Sequence, residues 1–337
     1  MTDTPKIAVL GAGAIGCFVG GTWATTGLDV VLIGRARRAE EAAKGLHLTD
    51  YDDWEHTSFP PFTTDPSVMH DADLIVLTVK STGTEAAAAQ IGGHARAETP
   101  VLSLQNGVSN PDVLRRLLPG RTILHGTVPF NVVSEGPGRW HKATLGHIFA
   151  DRHPLLHAIH HEAVGTPAEL EEVDDMEPIA WGKLLLNLNN AVNALSGLTL
   201  REELSQRPYR RVLAAAMRET LELLQVAGIR PAKVGAMAPN LVPTFLSLPD
   251  VIFRPVGLRL QKIDPKARSS MADDFAEGRP SEIDMLNGEV VRLAQRLGRE
   301  APVNARLVEL VRDAEAGGRR DWPARDLASA VLDPPKE

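Results

Sequence analysis

The chain has 337 residues, enough for two domains with separate cores, since a single core stops growing near ~250 to 300 residues. Its formal net charge is −7 at pH 7 and its basic residues are spread rather than clustered, which excludes a nucleic-acid footprint and favours a small-molecule partner. A single cysteine, Cys17, excludes an intrachain disulfide and a cysteine-built metal site, and no stretch approaches the ~20 apolar residues of a membrane span, so the expected protein is cytoplasmic, with no metal and no membrane.

The first half alternates short β-rich runs with helical or loop stretches. The runs at 7–10, 30–33, 74–79, 101–104 and 123–133 predict a parallel sheet covered by helices. Residues 46–50 and 54–59 read as a local antiparallel excursion, and 140–143 and 145–149 as further strands. Past Glu177 the period changes to 3.6, over 178–195, 209–227, 234–246, 267–276, 283–297 and 303–316, which predicts an all-helical second half. The acidic stretch Glu169, Glu171, Glu172, Asp174 and Asp175 precedes that change. The expected fold class is therefore α/β, with an amino-terminal Rossmann-type parallel-sheet domain at 1–174 and an all-helical carboxyl-terminal domain at 175–330. The tail from Asp333 is expected to fray. The apolar helices of the second domain suit a core or a homodimer interface equally.

Gly11, Gly13 and Gly16, with Ala12, Ala14 and Ile15 between them, form a G-x-G-x-x-G directly after the first strand and at the opening of a helix. In that context the first glycine permits a tight turn, the second lets backbone approach a pyrophosphate, and the third lets helix and strand pack closely. The helix amino terminus then holds the anion. After the second strand, Gly34 is followed by Arg35, with Arg37 and Arg38 nearby, where an NAD enzyme carries Asp or Glu for the ribose hydroxyls. Arginine suits the 2′-phosphate of NADP instead. Lys80 and Asn106 stand at the carboxyl ends of two further strands, where ligands sit in such sheets. Both are assigned to the cofactor, and Asn106 to the substrate as well.

In the second half, Lys183 and several asparagines interrupt a helix that is otherwise apolar. Polar groups on a buried helix are costly unless something polar meets them. Lys183, Asn187 and Asn190 are four and then three residues apart and share one face of a regular helix, which reads as a pocket wall. A lysine beside amides suits a substrate with a carboxylate and a carbonyl. The plainer alternative is a lysine whose stem packs on leucines while its head reaches water. The glycine loop and Lys183 lie on opposite sides of the domain boundary although both must reach a nicotinamide, so a cleft between the domains is expected.

With these motifs in place the chain resembles the ketopantoate reductase (2-dehydropantoate 2-reductase) family. The resemblance rests on the glycine loop, Arg35, Lys80, Gln105-Asn106-Gly107, Trp181-Gly182-Lys183-Leu184 with Asn187, Asn193-Ala194-Leu195-Ser196, Ser269-Ser270-Met271, and Ser281-Glu282-Ile283-Asp284 with Asn287-Gly288. These span nearly the whole chain, and they are specific in combination. The resemblance implies an NADPH-dependent reduction of ketopantoate to (R)-pantoate on the route to pantothenate. It further implies that Lys183 is the general acid, that Asn187 and Asn193 hold the substrate, that Ser270 meets its carboxylate, and that Glu282 lies near the nicotinamide ribose and the lysine. An ammonium near the carbonyl both stabilises a forming alkoxide and protonates it. Without the resemblance, Ser270 reads as a helix cap and Glu282 as a first-turn residue favoured by the helix dipole.

Two departures bear on the substrate. Between Asn187 and Asn193 the chain carries about two residues more than the family pattern, which leaves room for a bulge in the helix and for Asn190 to replace one contact. Ala267 stands where an asparagine is expected before Ser-Ser-Met. The competing expectations are a reductase of another branched 2-oxo acid, and a non-catalytic NADP-binding redox sensor that needs no lysine at a substrate site.

Overall fold

The computed structural model describes residues 4–260 and 267–333, so residues 334–337 of the tail expected to fray lie outside the described residues. The chain divides into two compact units, Met1–Met176 and Glu177–Glu337.

The strands of the first unit are β1 (Lys6–Leu10), β2 (Asp29–Ile33), β3 (Leu46–Asp50), β4 (Glu55–Ser58), β5 (Phe62–Thr63), β6 (Leu74–Leu77), β7 (Val101–Ser103), β8 (Ile123–Thr127), β9 (Val132–Gly136), β10 (Arg139–Lys142), β11 (Ile148–Asp151) and β12 (Leu170–Val173). Its helices are α1 (Ala14–Thr25), α2 (Ala36–Ala42), α3 (Thr84–His94), α4 (Asn110–Leu117) and α5 (Pro154–Ala163). The main sheet runs β12-β11-β8-β7-β6-β1-β2-β5, and from β5 to β8 every pairing is parallel, in the doubly wound order of Rossmann folds. Both faces are covered. Val9, Leu32, Val76 and Leu102 pack with Phe18 and Trp23 on one side, while Ala8, Leu10, Ile75 and Leu77 pack with Ile91 and Leu114 on the other. This is why these strands read as continuous apolar runs rather than alternating ones. Cys17 is buried: its Sγ donates to the Ala12 carbonyl oxygen at 3.3 Å, and burial pushes its thiol up to about 12.

The expected parallel sheet is extended by an antiparallel pairing, since β11 runs opposite to β8. The run expected as one strand over 123–133 is two, β8 and β9, in different sheets. Pro129 lies between them, and without an N–H it cannot continue the ladder. β9 joins β4, β3 and β10 in a separate four-stranded sheet, in which the expected excursion appears as the antiparallel β3–β4 pair. β5 is only two residues long and β12 is half acidic, so neither carries an apolar pattern from which it could be read.

The second unit contains α6 (Glu177–Asn187), α7 (Asn189–Ser196), α8 (Leu200–Leu204), α9 (Arg207–Ala227), α10 (Val242–Leu246), α11 (Asp250–Leu260), α12 (Ser270–Ala276), α13 (Asn287–Arg296), α14 (Pro302–Glu315) and α15 (Ala324–Leu332). No strand is found among its described residues. The helix expected over 178–195 is interrupted at Leu188, although Leu188 keeps helical angles and its N–H still donates to the Leu184 carbonyl oxygen at 3.0 Å. The interruption is shallow and falls within the two-residue surplus. The helix expected over 234–246 shrinks to α10, because Gly235 and Pro239 disfavour a helix in 234–241. The segment 283–297 opens as a 3-10 helix, Ile283–Met285, before α13 begins. α8, α11 and α15 were not expected; the first is a single turn, and α11 carries Pro255.

α9 lies against α10, α14 and α15 and organises the unit. From α9, Arg210, 0% exposed, donates through Nη1 to the Leu204 carbonyl oxygen at 2.8 Å, through Nε to that of Leu246 at 3.0 Å and through Nη2 to that of Leu248 at 2.8 Å. It thereby closes the carboxyl ends of α8 and α10. Replacing Arg210 by Met keeps the apolar stem but strands these carbonyls, and should lower unfolding stability by about 3 kcal/mol or more, at ~1 to 3 kcal/mol for each unsatisfied buried group. Urea denaturation measures this; an unchanged midpoint would mean that water replaces the guanidinium.

Candidate active site

In the first unit the loop after β1 is built by steric necessity. Gly11 has φ +107, a conformation that favours glycine, and its N–H and that of Ala12 both donate to the Ile33 carbonyl oxygen at 3.0 Å. A Cβ on Gly16 would stand 2.5 Å from the Gly11 carbonyl oxygen and 2.6 Å from Thr78 Oγ1, so this glycine lets α1 press onto the loop. A Cβ on Gly13 would meet only the Gly11 carbonyl oxygen, at 3.9 Å. The loop is thus packed at Gly11 and Gly16 and open at Gly13, the N-cap of α1, where no side chain caps the helix. An open, uncapped amino terminus of a twelve-residue helix fits the pyrophosphate of a dinucleotide.

Three arginines follow β2, and the structure separates them. Arg37 and Arg38 both pair with Glu41, Arg38 also lying 4.8 Å from the Trp140 ring centroid. Arg35 is exposed, and its guanidinium makes no hydrogen bond or ion pair among the described residues.

The loops after β6 and β7 are stitched together by buried polar groups. Gln105 Nε2 donates to the Val79 carbonyl oxygen at 3.1 Å and to Thr84 Oγ1 at 2.8 Å, and Asn110 Nδ2 donates to Ser81 Oγ at 2.9 Å and to the Asn106 carbonyl oxygen at 2.5 Å. Thr78, Thr84 and Asn110 were not singled out in the sequence. Each has a partner more than 20 residues away in the chain. Lys80 is exposed at the start of the 3-10 helix Ser81–Gly83, and Asn106 is half-buried.

In the second unit Lys183 sits between Trp181 and Leu184, Leu185 in α6 and is only 9% exposed. Gly182 lets the helix come close to the 230–234 segment, for a Cβ there would lie 2.3 Å from the Ala232 carbonyl oxygen. Burial lowers the lysine to about 8, while the carboxylate of Glu282 works in the opposite direction. Glu282, also 9% exposed, precedes the 3-10 helix Ile283–Met285, a turn held by the Ser281 N–H donating to Glu315 Oε1 at 2.7 Å. Asn187, one turn beyond Lys183, is half-buried, and its side chain makes no hydrogen bond among the described residues.

Asn190 Nδ2 donates to Ser270 Oγ at 3.4 Å. Ser270 is the exposed first residue of α12, and the cap is its neighbour: Ser269 Oγ accepts from the Ala272 N–H at 3.1 Å. Asn193 is fully buried, its Oδ1 accepting from the Ser269 N–H at 2.9 Å and its Nδ2 donating to the Leu198 carbonyl oxygen at 3.1 Å and to Glu203 Oε2 at 3.2 Å. Glu203 and Asn189, which share this network, were missed. No local pattern marks a glutamate in a short helix as buried. Among the described residues no group of three or more His, Cys, Asp or Glu could hold a metal, and no helix is long and apolar enough to cross a membrane.

A doubly wound sheet with an open glycine loop, joined in one chain to a helical unit bearing a buried lysine–glutamate pair, defines a dinucleotide-dependent oxidoreductase. Family models described as "Ketopantoate reductase PanE/ApbA" and its C-terminal domain match residues 7–154 and 175–315. The chain belongs to the ketopantoate reductase family. It is similar to the 2-dehydropantoate 2-reductase of Halobacterium salinarum, with 29% identity covering 93% of this chain and 100% of that one. Among solved structures it resembles a PanE/ApbA family ketopantoate reductase from Ralstonia eutropha, with 31% identity, a TM-score of 0.76 and coverage of 93% and 99%. D-mandelate dehydrogenase, solved with NADH and anilino(oxo)acetate, shares the fold at 22% identity and a TM-score of 0.75, with coverage of 93% and 99%.

Proposed function

We propose that this protein reduces 2-dehydropantoate (ketopantoate) to (R)-pantoate with NADPH, a step of pantothenate synthesis. The observation that carries the reading is Lys183, an ammonium buried among apolar helices, facing Glu282 and one turn from the amide of Asn187. A snorkelling lysine keeps its head in water; Lys183 is only 9% exposed, and burial lowers its proton affinity to about 8. A buried lysine–carboxylate pair is also more than a non-catalytic sensor requires.

When bound, the dinucleotide supplies a hydride to the 2-oxo carbon. As the carbonyl oxygen gains negative charge, the Lys183 ammonium stabilises it and hands over a proton. Glu282 holds the ammonium in place and favours its charged form. Asn187 donates to the substrate's oxygens, while Ser270 and Asn190, already in contact, receive its carboxylate beside the start of α12. In the first unit the glycine loop takes the pyrophosphate, Arg35 the 2′-phosphate, and Lys80 and Asn106 further cofactor contacts. A homodimer is part of the proposal, resting on Val226, Leu241, Val251 and Ile252, apolar and exposed on the helical unit. Light scattering reads it directly.

The deciding experiment is NADPH oxidation by the purified chain across a panel of 2-oxo acids. Ketopantoate should give the highest kcat/KM. A clear preference for another branched or aryl 2-oxo acid would move the substrate, and no turnover with any would leave the sensor reading.

Lys183→Ala should lower kcat by about 10² to 10⁴ while leaving NADPH affinity nearly intact, because the ammonium matters most in the transition state. Unchanged kcat in a folded variant would remove Lys183 from the mechanism.

The pH profile follows from the same group. A general acid must carry its proton, so kcat/KM should be level below about 8 and fall as pH rises through that value. Glu282→Gln removes the charge that favours the ammonium and should shift the alkaline limb to lower pH; a limb that stays in place would separate Glu282 from Lys183.

Arg35→Ala should weaken NADPH binding by about 1.5 to 3 kcal/mol, the scale of a charge-assisted contact, and leave NADH almost unaffected. Equal weakening of the two, measured by titration, would make Arg35 a support of the loop.

A further inference from the structure

Glu203 lies in α8 and is 0% exposed, with no cation against it among the described residues. Its Oε2 accepts from Asn189 Nδ2 at 3.1 Å and from Asn193 Nδ2 at 3.2 Å. Its Oε1 and the Oδ1 of Asn189 are both buried, and neither has a hydrogen-bond partner among the described residues. Two bare acceptors thus remain on two groups already joined by one N–H···O bond. An ionised carboxylate has no donor to offer, but a proton on Oε1 supplies one, and the acid O–H can then close a ring onto the Asn189 carbonyl.

We propose that Glu203 is a neutral carboxylic acid in the folded protein and, through Asn193, the positioning residue for the Ser269–Ser270 turn. The second half of this rests on the reading of that turn as the substrate carboxylate's receptor. Burial acts in the same sense, pushing the carboxyl up to about 8 against the opposing hydrogen bonds from the two asparagines. From α9 the titratable neighbour is Tyr209, but its hydroxyl is donated to the Trp322 carbonyl oxygen at 2.6 Å. Arg210, also on α9, is spent on the carbonyls of Leu204, Leu246 and Leu248 and on the Asp250 carboxylate, 2.8 Å from its Nη2. On α7 the partners are the uncharged Asn189 and Asn193.

The path outward runs through Asn193. With two acceptors, Glu203 Oε2 and the Leu198 carbonyl, on its Nδ2 side, Asn193 presents Oδ1 to the Ser269 N–H at 2.9 Å. Ser269 caps α12, and Ser270 follows as the exposed residue met by Asn190. Neither Glu203 nor Asn193 reaches the surface, so both act through the turn and not on substrate.

The test compares Glu203→Gln and Glu203→Leu in the full chain. Gln reproduces the neutral acid, accepting from the asparagines and donating to Asn189 Oδ1, so KM for the 2-oxo acid should stay within about twofold. Leu can do neither, and should raise KM about tenfold or more, the scale of ~1.4 kcal/mol, with kcat and NADPH affinity little changed. If Glu203→Leu does not fold, Glu203→Asp, which keeps the acid but withdraws it, carries the same KM test. An unchanged KM in the folded variant would leave the network purely structural and overturn the positioning role.

Protonation is read without turnover. The folded carboxyl lies above its ordinary value of 4.5, so its contribution is fully present below that pH and is lost as pH rises toward about 8. The wild-type melting temperature should therefore fall relative to Glu203→Gln across this window and run parallel above it. The infrared band of a protonated carboxyl, present at pH 6 in the wild type, should vanish in Glu203→Gln. Parallel melting curves with no such band would show an ionised Glu203. A wild-type chain that turns over no 2-oxo acid overturns the functional reading and the positioning role with it, while the neutral acid stands or falls on these two measurements.

Discussion

The energetics of the helical unit turn on keeping polar groups out of water. Lys183, Glu282, Glu203, Arg210, Asn189 and Asn193 are all buried in it, and each must be neutralised, paired or hydrogen-bonded. Each finds a different solution. Arg210 binds carbonyls at helix ends, Asn193 is saturated on both sides of its amide, and Lys183 faces Glu282. The same desolvation that makes Lys183 expensive also lowers its proton affinity to about 8, the property on which the proposed general-acid role draws. A costly burial and a chemical capability are here one property.

The sheet unit works by steric rather than electrostatic economy. Gly11 and Gly16 leave no space for a Cβ, Gly13 leaves space in front of it, and the contrast shapes a loop open on one side only. Around it the buried amides of Gln105 and Asn110 hold the loops after β6 and β7 in a fixed relation. Arg35 stands exposed, while Glu41 pairs with both Arg37 and Arg38.

The glycine loop, the parallel runs and most long helices were legible because each is set by local chemistry: glycine spacing, apolar runs bounded by turns, or a 3.6 period. The failures were also physical. The run at 123–133 was read straight through Pro129, although the residues on either side belong to different sheets. The segment 234–241 has apolar residues at helical spacing but too many breakers to be a helix. β5 and β12 exist only because a neighbouring strand offers its edge.

By itself the sequence determined the backbone devices and the change from strands to helices near residue 177, because these follow from intervals of a few residues. It also determined that a lysine would stand among leucines. Tertiary structure alone decided what that lysine faces, that Asn190 meets Ser270 across 80 positions, and that Asn193 turns inward to Ser269 and Glu203. Which of several like side chains remains available to a ligand depends on what packs against the others, and that is settled only when distant segments meet.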